Sequence, residues 1–217
     1  MSSDQQVTFQ LLTTADDRAF EDFYRIYAES VEAREQKPRK QIAAMAARRD
    51  YEILLAKRAG RVIGGSVLFL PAGEPFCLLE YMAVQAEHRS TGVGAALFRR
   101  SLEAARSVQG ESPVLLEVDS DRSPSPDQAI RQRRQRFYRR LGCTRVAGLS
   151  YLLPLPAAGP PPEMDLLIHL PSAMPSLPKA SLERWLGVVY ERVYGCPADD
   201  PRIGRMLAPV ADPVGLV

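Results

Sequence analysis

The stretch from Leu79 to Leu97 constrains this chain more than any other part of it. An apolar run of strand length, Leu79-Glu80-Tyr81-Met82-Ala83-Val84, ends in a short polar loop. Arg89-Ser90-Thr91-Gly92-Val93-Gly94-Ala95 then opens a helical pattern. A chain that folds this way leaves free backbone N–H groups at a helix N-terminus, just beyond a buried strand. With the positive end of the helix dipole, such groups form an anion site. Gly92 and Gly94 let the backbone approach a phosphate with no Cβ in the way. Arg89 adds a guanidinium capable of charge-assisted hydrogen bonds. No Gly-Lys-Ser/Thr follows, so this is not a Walker A loop. The three-glycine spacing of a dinucleotide fingerprint is also absent, and two glycines alone fit an ordinary turn as well.

The rest of the chain supplies a setting for that loop. Val7 to Leu12 reads as a strand, followed by the capping residues Thr13 to Asp17. Phe20, Phe23, Tyr24, Tyr27 and Val31 then recur at helical spacing. Lys37-Pro38 punctuates, and a shorter helix is expected over Gln41–Arg49. Strands follow at Tyr51–Lys57, Arg61–Leu70 and Phe76–Val84, the first two joined by a glycine hairpin turn at Arg58-Ala59-Gly60. A helix is predicted from Thr91 to about Arg106, and a strand at Pro113–Val118 that is apolar enough to be buried on both faces. After the polar loop Ser120–Asp127 come an arginine-rich helix, Gln128–Leu141, and strands at Thr144–Leu153 and Met164–Leu170 around the proline-rich turn Pro154–Pro162. This order fits a mixed sheet with helices on both faces. Pro171, Pro175 and Pro178 mark a linker-like stretch. Beyond it Leu182, Trp185, Leu186, Val189, Tyr190 and Val193 share one helical face, with Gly195 placed as a C-cap. That helix is too short to bury its own stripe, so it is expected to pack on the main domain. The domain reading is 1–170, then 171–217 as linker and helical extension.

Composition narrows the classes. With 217 residues, 46% of them hydrophobic, the chain can bury a real core. Its mean hydropathy of −0.18 and lack of a long apolar run speak against a membrane span. The opening MSSDQQVTFQ has no basic and then apolar leader pattern, so a cytoplasmic protein is expected. A net charge of +2 gives no global argument for nucleic acid. Cys77, Cys143 and Cys196 are scattered, and His88 and His169 are the only histidines. Neither a disulfide framework nor a metal site is expected.

Arg89-Ser90-Thr91-Gly92-Val93-Gly94 resembles the Arg/Gln-x-x-Gly-x-Gly/Ala signature of the GCN5-related N-acetyltransferase (GNAT) family, and Met82-Ala83-Val84 resembles that family's fourth strand. The element order from Val7 to about Leu170 is similar as well. The resemblance implies an α/β (α+β) fold with a mixed, mostly antiparallel central sheet splayed between strands four and five. It implies acetyl-CoA as co-substrate, with no metal. Backbone groups of Met82, Ala83 and Val84 would meet the pantetheine arm, and the pyrophosphate would lie on the amides of Arg89, Ser90, Thr91, Gly92, Val93, Gly94 and Ala95. The thioester would lie in the gap between the splayed strands. Phe137-Tyr138-Arg139-Arg140-Leu141-Gly142-Cys143 resembles the family's Phe-Tyr-x-x-x-Gly-Phe segment, whose tyrosine protonates the leaving thiolate. That implies Tyr138 as general acid, against its plain reading as a packing tyrosine.

A carboxylate, or water, must accept the amine's proton. Glu80 shares a face with Met82 and Val84 by the period of two. Glu117 resembles a fifth-strand glutamate of family members that act on protein N-termini. Either carboxylate can equally be a buried group paired with an arginine. Beyond the fifth strand the chain departs from the family pattern. Asp119-Ser120-Asp121-Arg122-Ser123-Pro124-Ser125-Pro126 stands where an asparagine and a short helix are usual. Arg131, Arg133, Arg134, Arg136, Arg139 and Arg140 crowd the next helix. They read first as a solvated face, then as a contact for the coenzyme's 3′-phosphate or an anionic acceptor, and last as a nucleic-acid surface.

The expectation is an N-acetyltransferase working by direct attack in a ternary complex. Its acceptor is a small-molecule amine or a protein N-terminus, with no nucleic-acid or membrane partner and a homodimer left open. The alternatives are a non-catalytic acyl-CoA-binding sensor or scaffold, and an interaction protein that docks a partner through Trp185 and Tyr190.

Overall fold

The computed structural model describes residues 6–15, 18–155, 162–172, 174 and 176–217. Asp16, Asp17, residues 156–161 of the proline-rich turn, and Pro175 lie outside the described residues. The chain divides into two compact units, one of residues 1–72 and 79–110, the other of residues 73–78 and 111–217.

The first unit is a sheet with helices against it. Strand β1 (Thr8–Leu12) pairs antiparallel with β2 (Tyr51–Arg58), and β2 pairs antiparallel with β3 (Arg61–Phe69). Strand β4 (Cys77–Val84) lies next to β3, with Leu79–Val84 in this unit. Helix α1 (Arg18–Ser30) buries Phe20, Phe23, Ile26 and Tyr27. A 3-10 turn (Ala33–Glu35) leads to α2 (Arg39–Met45). This helix starts and stops earlier than expected, because Pro38 serves as its N-cap and ordinary turns follow Met45. Helix α3 (Val93–Gln109) follows β4 and a second 3-10 turn (Ala86–His88).

Two glycines in β3 set how closely this unit packs. A Cβ on Gly65 would lie 2.6 Å from the Phe23 ring of α1. The next residue, Ser66, points the other way, its Oγ 2.7 Å from Ser101 Oγ of α3. Helices therefore cover both faces of this sheet. A Cβ on Gly64 would lie 2.7 Å from the Ala83 carbonyl of β4. On the α3 side, Leu54, Ala56, Ile63, Val84, Val93 and Leu97 form one apolar cluster, with Met82 packed against it.

The second unit is built around β8 (Glu163–His169), which pairs antiparallel with β5 (Val114–Asp119), β6 (Cys143–Arg145) and β7 (Tyr151–Leu152). The single strand expected over Thr144–Leu153 is thus two. The chain turns at Gly148, whose φ is +75° and where a Cβ would meet the Pro209 carbonyl at 3.1 Å. The last residues continue this edge, with Arg145 and Val217 exchanging amide–carbonyl bonds of 2.8 and 2.9 Å. Helix α4 (Gln128–Arg140) lies between β5 and β6 in sequence. Helix α5 (Lys179–Arg192) buries Leu182, Trp185, Leu186, Val189 and Tyr190, as its stripe requires. Trp185 stacks on Phe76 at 5.5 Å, and Gly195 adopts a positive φ where the helix ends. Trp185 and Tyr190 are therefore interior residues and not an outer docking face. A further helix, α6 (Pro201–Leu207), was not expected. Its signal was present in Asp200-Pro201, with Asp200 capping the Arg202 amide at 2.9 Å and proline in the first turn.

Together these elements make a mixed α/β fold with mostly antiparallel strands. Gly64→Ala should lower unfolding stability by about 1–3 kcal/mol, because the atom it meets is a strand backbone carbonyl that cannot yield cheaply. Urea denaturation at constant m-value checks it.

Candidate functional site

Beyond β4 the backbone departs from ordinary strand and helix geometry. Ser90 has φ +63° and Gly92, the N-cap of α3, has φ +88°. A Cβ on Gly92 would meet nothing within 4 Å, so the requirement for glycine is conformational. No described side chain caps α3, and no acidic residue occupies its first turn. The positive end of a long helix is thus presented by bare amides. Thr91 turns its hydroxyl back to the His88 carbonyl at 2.7 Å. Arg89 acts first as a clip, its Nε donating to the Val84 carbonyl at 2.9 Å. Arg89 therefore holds the loop to the end of β4.

Met82 and Val84 meet the α3 side through the cluster with Val93 and Leu97. Glu80 does not join them. Its side chain is 1% exposed, Lys37 Nζ ion-pairs with one carboxylate oxygen, and the Tyr51 hydroxyl donates to the other at 3.1 Å. Tyr81, the next residue, meets Tyr27 edge-on at 4.9 Å and donates to the Glu35 carbonyl. Glu80 and Tyr81 thus both engage groups near α1 and α2, while Met82 and Val84 engage α3. The period of two expected to align Glu80 with Met82 and Val84 does not hold through β4; two neighbouring side chains on one layer mark a bulge-like irregularity.

Lys37, read from sequence only as punctuation, is the key partner here. Its amide donates to the Tyr27 hydroxyl at 2.7 Å, and its ammonium lies 5.4 Å from the Tyr81 ring centre. Burial, and then the charge of Glu80, push the Tyr51 phenol far above its ordinary pKa. Glu80 is a paired buried carboxylate, with lysine and not arginine as its cation.

Glu117, on β5, is half-buried and has different company. The hydroxyls of Tyr151 and Tyr194 donate to its two oxygens. Tyr151 comes from β7 and Tyr194 from the end of α5. Burial, then the Glu117 charge, hold the Tyr151 phenol well above its usual pKa. The sequence reading missed both tyrosines. Tyr190 and Tyr194 lie four apart, a spacing that marks one helical face, but nothing local names a carboxylate as the target.

Tyr138, on α4, is buried, and its phenol is pushed up to about 12, mainly by burial. Arg134 pulls it back in part. Burial also pushes the Cys143 thiol up to about 12. The arginines of α4 divide by face. Arg131 pairs with Asp127 at 3.0 Å and Arg134 pairs with Asp119, while Arg136, Arg139 and Arg140 are exposed. The polar insertion after β5 is tied down as well. Arg122 reaches the fully buried Asp165 at 3.0 Å, and Gln135 Nε2 bridges the Asp119 carbonyl and Asp165.

Among the described residues no helix is long and apolar enough to cross a membrane. Comparison with known proteins identifies the family and the fold. The family model described as "Acetyltransferase (GNAT) family" matches residues 10–143. No curated protein matches the sequence. Among solved structures, a GNAT-family acetyltransferase from Bacteroides thetaiotaomicron superposes with a TM-score of 0.64 at 22% identity, over 87% of this chain and 98% of that one. The ribosomal-protein-S18-alanine N-acetyltransferase from Escherichia coli gives 0.57 at 19%, over 78% and 96%. Ard1 from Thermoplasma volcanium gives 0.55 at 24%, over 75% and 95%. At these identities the likeness is one of fold.

Two outcomes test the electrostatics. Lys37→Met leaves Glu80 buried without its cation and should cost about 3–5 kcal/mol in a denaturant titration. Tyr138 has its folded pKa raised from 10.0 to about 12, so its contribution is whole below pH 10 and fades as pH climbs toward 12. Stability of Tyr138→Phe should therefore fall less steeply than that of the parent across that interval.

Proposed function

Because the chain belongs to the acetyltransferase (GNAT) family, we propose that it transfers an acetyl group from acetyl-CoA to an amine by direct attack in a ternary complex. The observation that carries this reading is the uncapped N-terminus of α3, opened by Gly92 and tied by Arg89 to the end of β4. Amides without a capping side chain, in a first turn that holds no acidic residue, suit a pyrophosphate. Acetyl-CoA supplies the activated acyl group as a thioester.

The residues divide the work. The amides that follow Arg89, up to Ala95, hold the pyrophosphate, the Arg89 amide itself donating to the Ala86 carbonyl, and backbone groups of Met82, Ala83 and Val84 align the pantetheine arm. The Val84 amide polarises the thioester carbonyl. Tyr138 keeps its proton at neutral pH and gives it to the departing sulfur as the carbon–sulfur bond breaks. Glu117 takes the proton that the amine nitrogen loses as the new carbon–nitrogen bond forms. Glu80, fully engaged by Lys37 and Tyr51, shapes the sheet and does not serve as base. The acceptor is a small-molecule amine or a protein N-terminus.

Calorimetric titration with acetyl-CoA and with free coenzyme A tests this first. Saturable binding to both is expected, lost in Arg89→Glu and in Gly92→Val, which strains the positive φ. A folded protein that binds neither would overturn the reading. Against an accepting amine, Tyr138→Phe should lower kcat by about 10²–10⁴ with coenzyme binding unchanged. Coenzyme binding without turnover on any amine would make the chain a sensor of acyl-CoA.

A further inference from the structure

The C-terminal segment brings a side chain to the centre of the second unit. Tyr194 follows α5 and its hydroxyl donates to one oxygen of Glu117, while Tyr151 donates to the other. Around them lie Tyr190, whose ring carries the Arg202 guanidinium at 5.4 Å, and Cys196, 3.4 Å from Arg202 Nη2. Arg202 is itself paired with Asp200 at 2.7 Å. The segment is anchored independently of this contact. Trp185 is buried on Phe76, and the amide of Val214 donates to the Leu177 carbonyl at 2.8 Å. Tyr194 is therefore delivered by a packed scaffold and does not depend on Glu117 for its place.

A carboxylate with a phenol on each oxygen cannot rotate freely, and its ionised form is favoured over its protonated form. We propose that Tyr194, with Tyr151, is a positioning residue for acyl transfer, fixing Glu117 so that the C-terminal segment completes the site. This rests on the reading of Glu117 as proton acceptor. Tyr194 does not touch the reacting atoms. It acts by aiming the carboxylate's remaining lone pairs and by keeping it ionised at the pH of the reaction.

The test compares the full-length parent with Tyr194→Phe, Glu117→Gln and the double variant, using an amine that the parent acetylates. Loss of one donor to a charged group corresponds to roughly a tenfold fall in kcat/KM for the amine. Coenzyme affinity should stay at the parent value. The acid limb of the pH–rate profile in Tyr194→Phe should move to higher pH, because the carboxylate has lost a donor to its charged form. The double variant should be no slower than Glu117→Gln alone, since both changes act through one group. An unmoved acid limb, or losses that multiply in the double variant, would overturn the proposal.

A second measurement needs no acceptor. In an alkaline absorbance titration, Glu117→Gln should let tyrosine phenols ionise at lower pH than in the parent, because the charge that holds them protonated is gone. Superimposable titrations would dissolve the cluster, even if the parent binds coenzyme and turns over. A shifted titration in a protein that binds no coenzyme would instead uphold the cluster and remove the acyl-transfer reading on which its role rests.

Discussion

A carboxylate on a buried strand must find donors, since burying an unpaired charge costs more than a fold of this size can spare. Among the described residues, Glu80 on β4, Glu117 on β5 and Asp165 on β8 find their partners outside the sheet's regular ladder. Each is answered by a different irregular segment. Lys37 comes from the connection between α1 and α2, Tyr194 from the end of α5, and Arg122 from the polar insertion after β5. The contacts of Glu80 and Asp165 thus tie loops to the sheet, while the segment that carries Tyr194 is anchored by its own packing. Such ties are directional, because a hydrogen bond fixes an angle as well as a distance.

The N-terminal end of α3 follows the opposite rule. There the orphan amides are left without a capping side chain, and the backbone before them is held in positive φ at Ser90 and Gly92. A helix start in this state is less stable by itself than one capped by serine or aspartate. The surrounding sheet sustains it. Val93 and Leu97 are buried in the cluster with Val84 and Ile63, and Arg89 clips the loop to the strand. Packing a turn further along stabilises an end that lacks a capping side chain.

Much of this was legible. The 3.6-residue stripe of α1 and α5 and the apolar run of β5 each have one reading, because burial forces a period on the sequence. The same local rules failed where a distant backbone intervened. The continuous strand expected at Thr144–Leu153 is interrupted at Gly148, whose positive φ no strand allows and beside which the Pro209 carbonyl lies. The face of Glu80 departs from the expected alternation because that assumes an unbroken pleat, and Tyr81 shares its side. Helix α6 carries a local signal in Asp200-Pro201, but at seven residues it is too short to show a periodic stripe.

By itself the sequence determined the family, because its signature depends on local order: a strand, a glycine turn and a helix in succession. Only the tertiary structure decided which carboxylate is locked and which is held by phenols. Glu80 and Lys37 lie 43 residues apart in the chain, and Glu117 and Tyr194 lie 77 apart. No periodicity spans such separations. The partner of a buried charge is chosen by which segments the folded core brings within hydrogen-bonding reach, and that choice made one glutamate a structural pair and left the other as the candidate base.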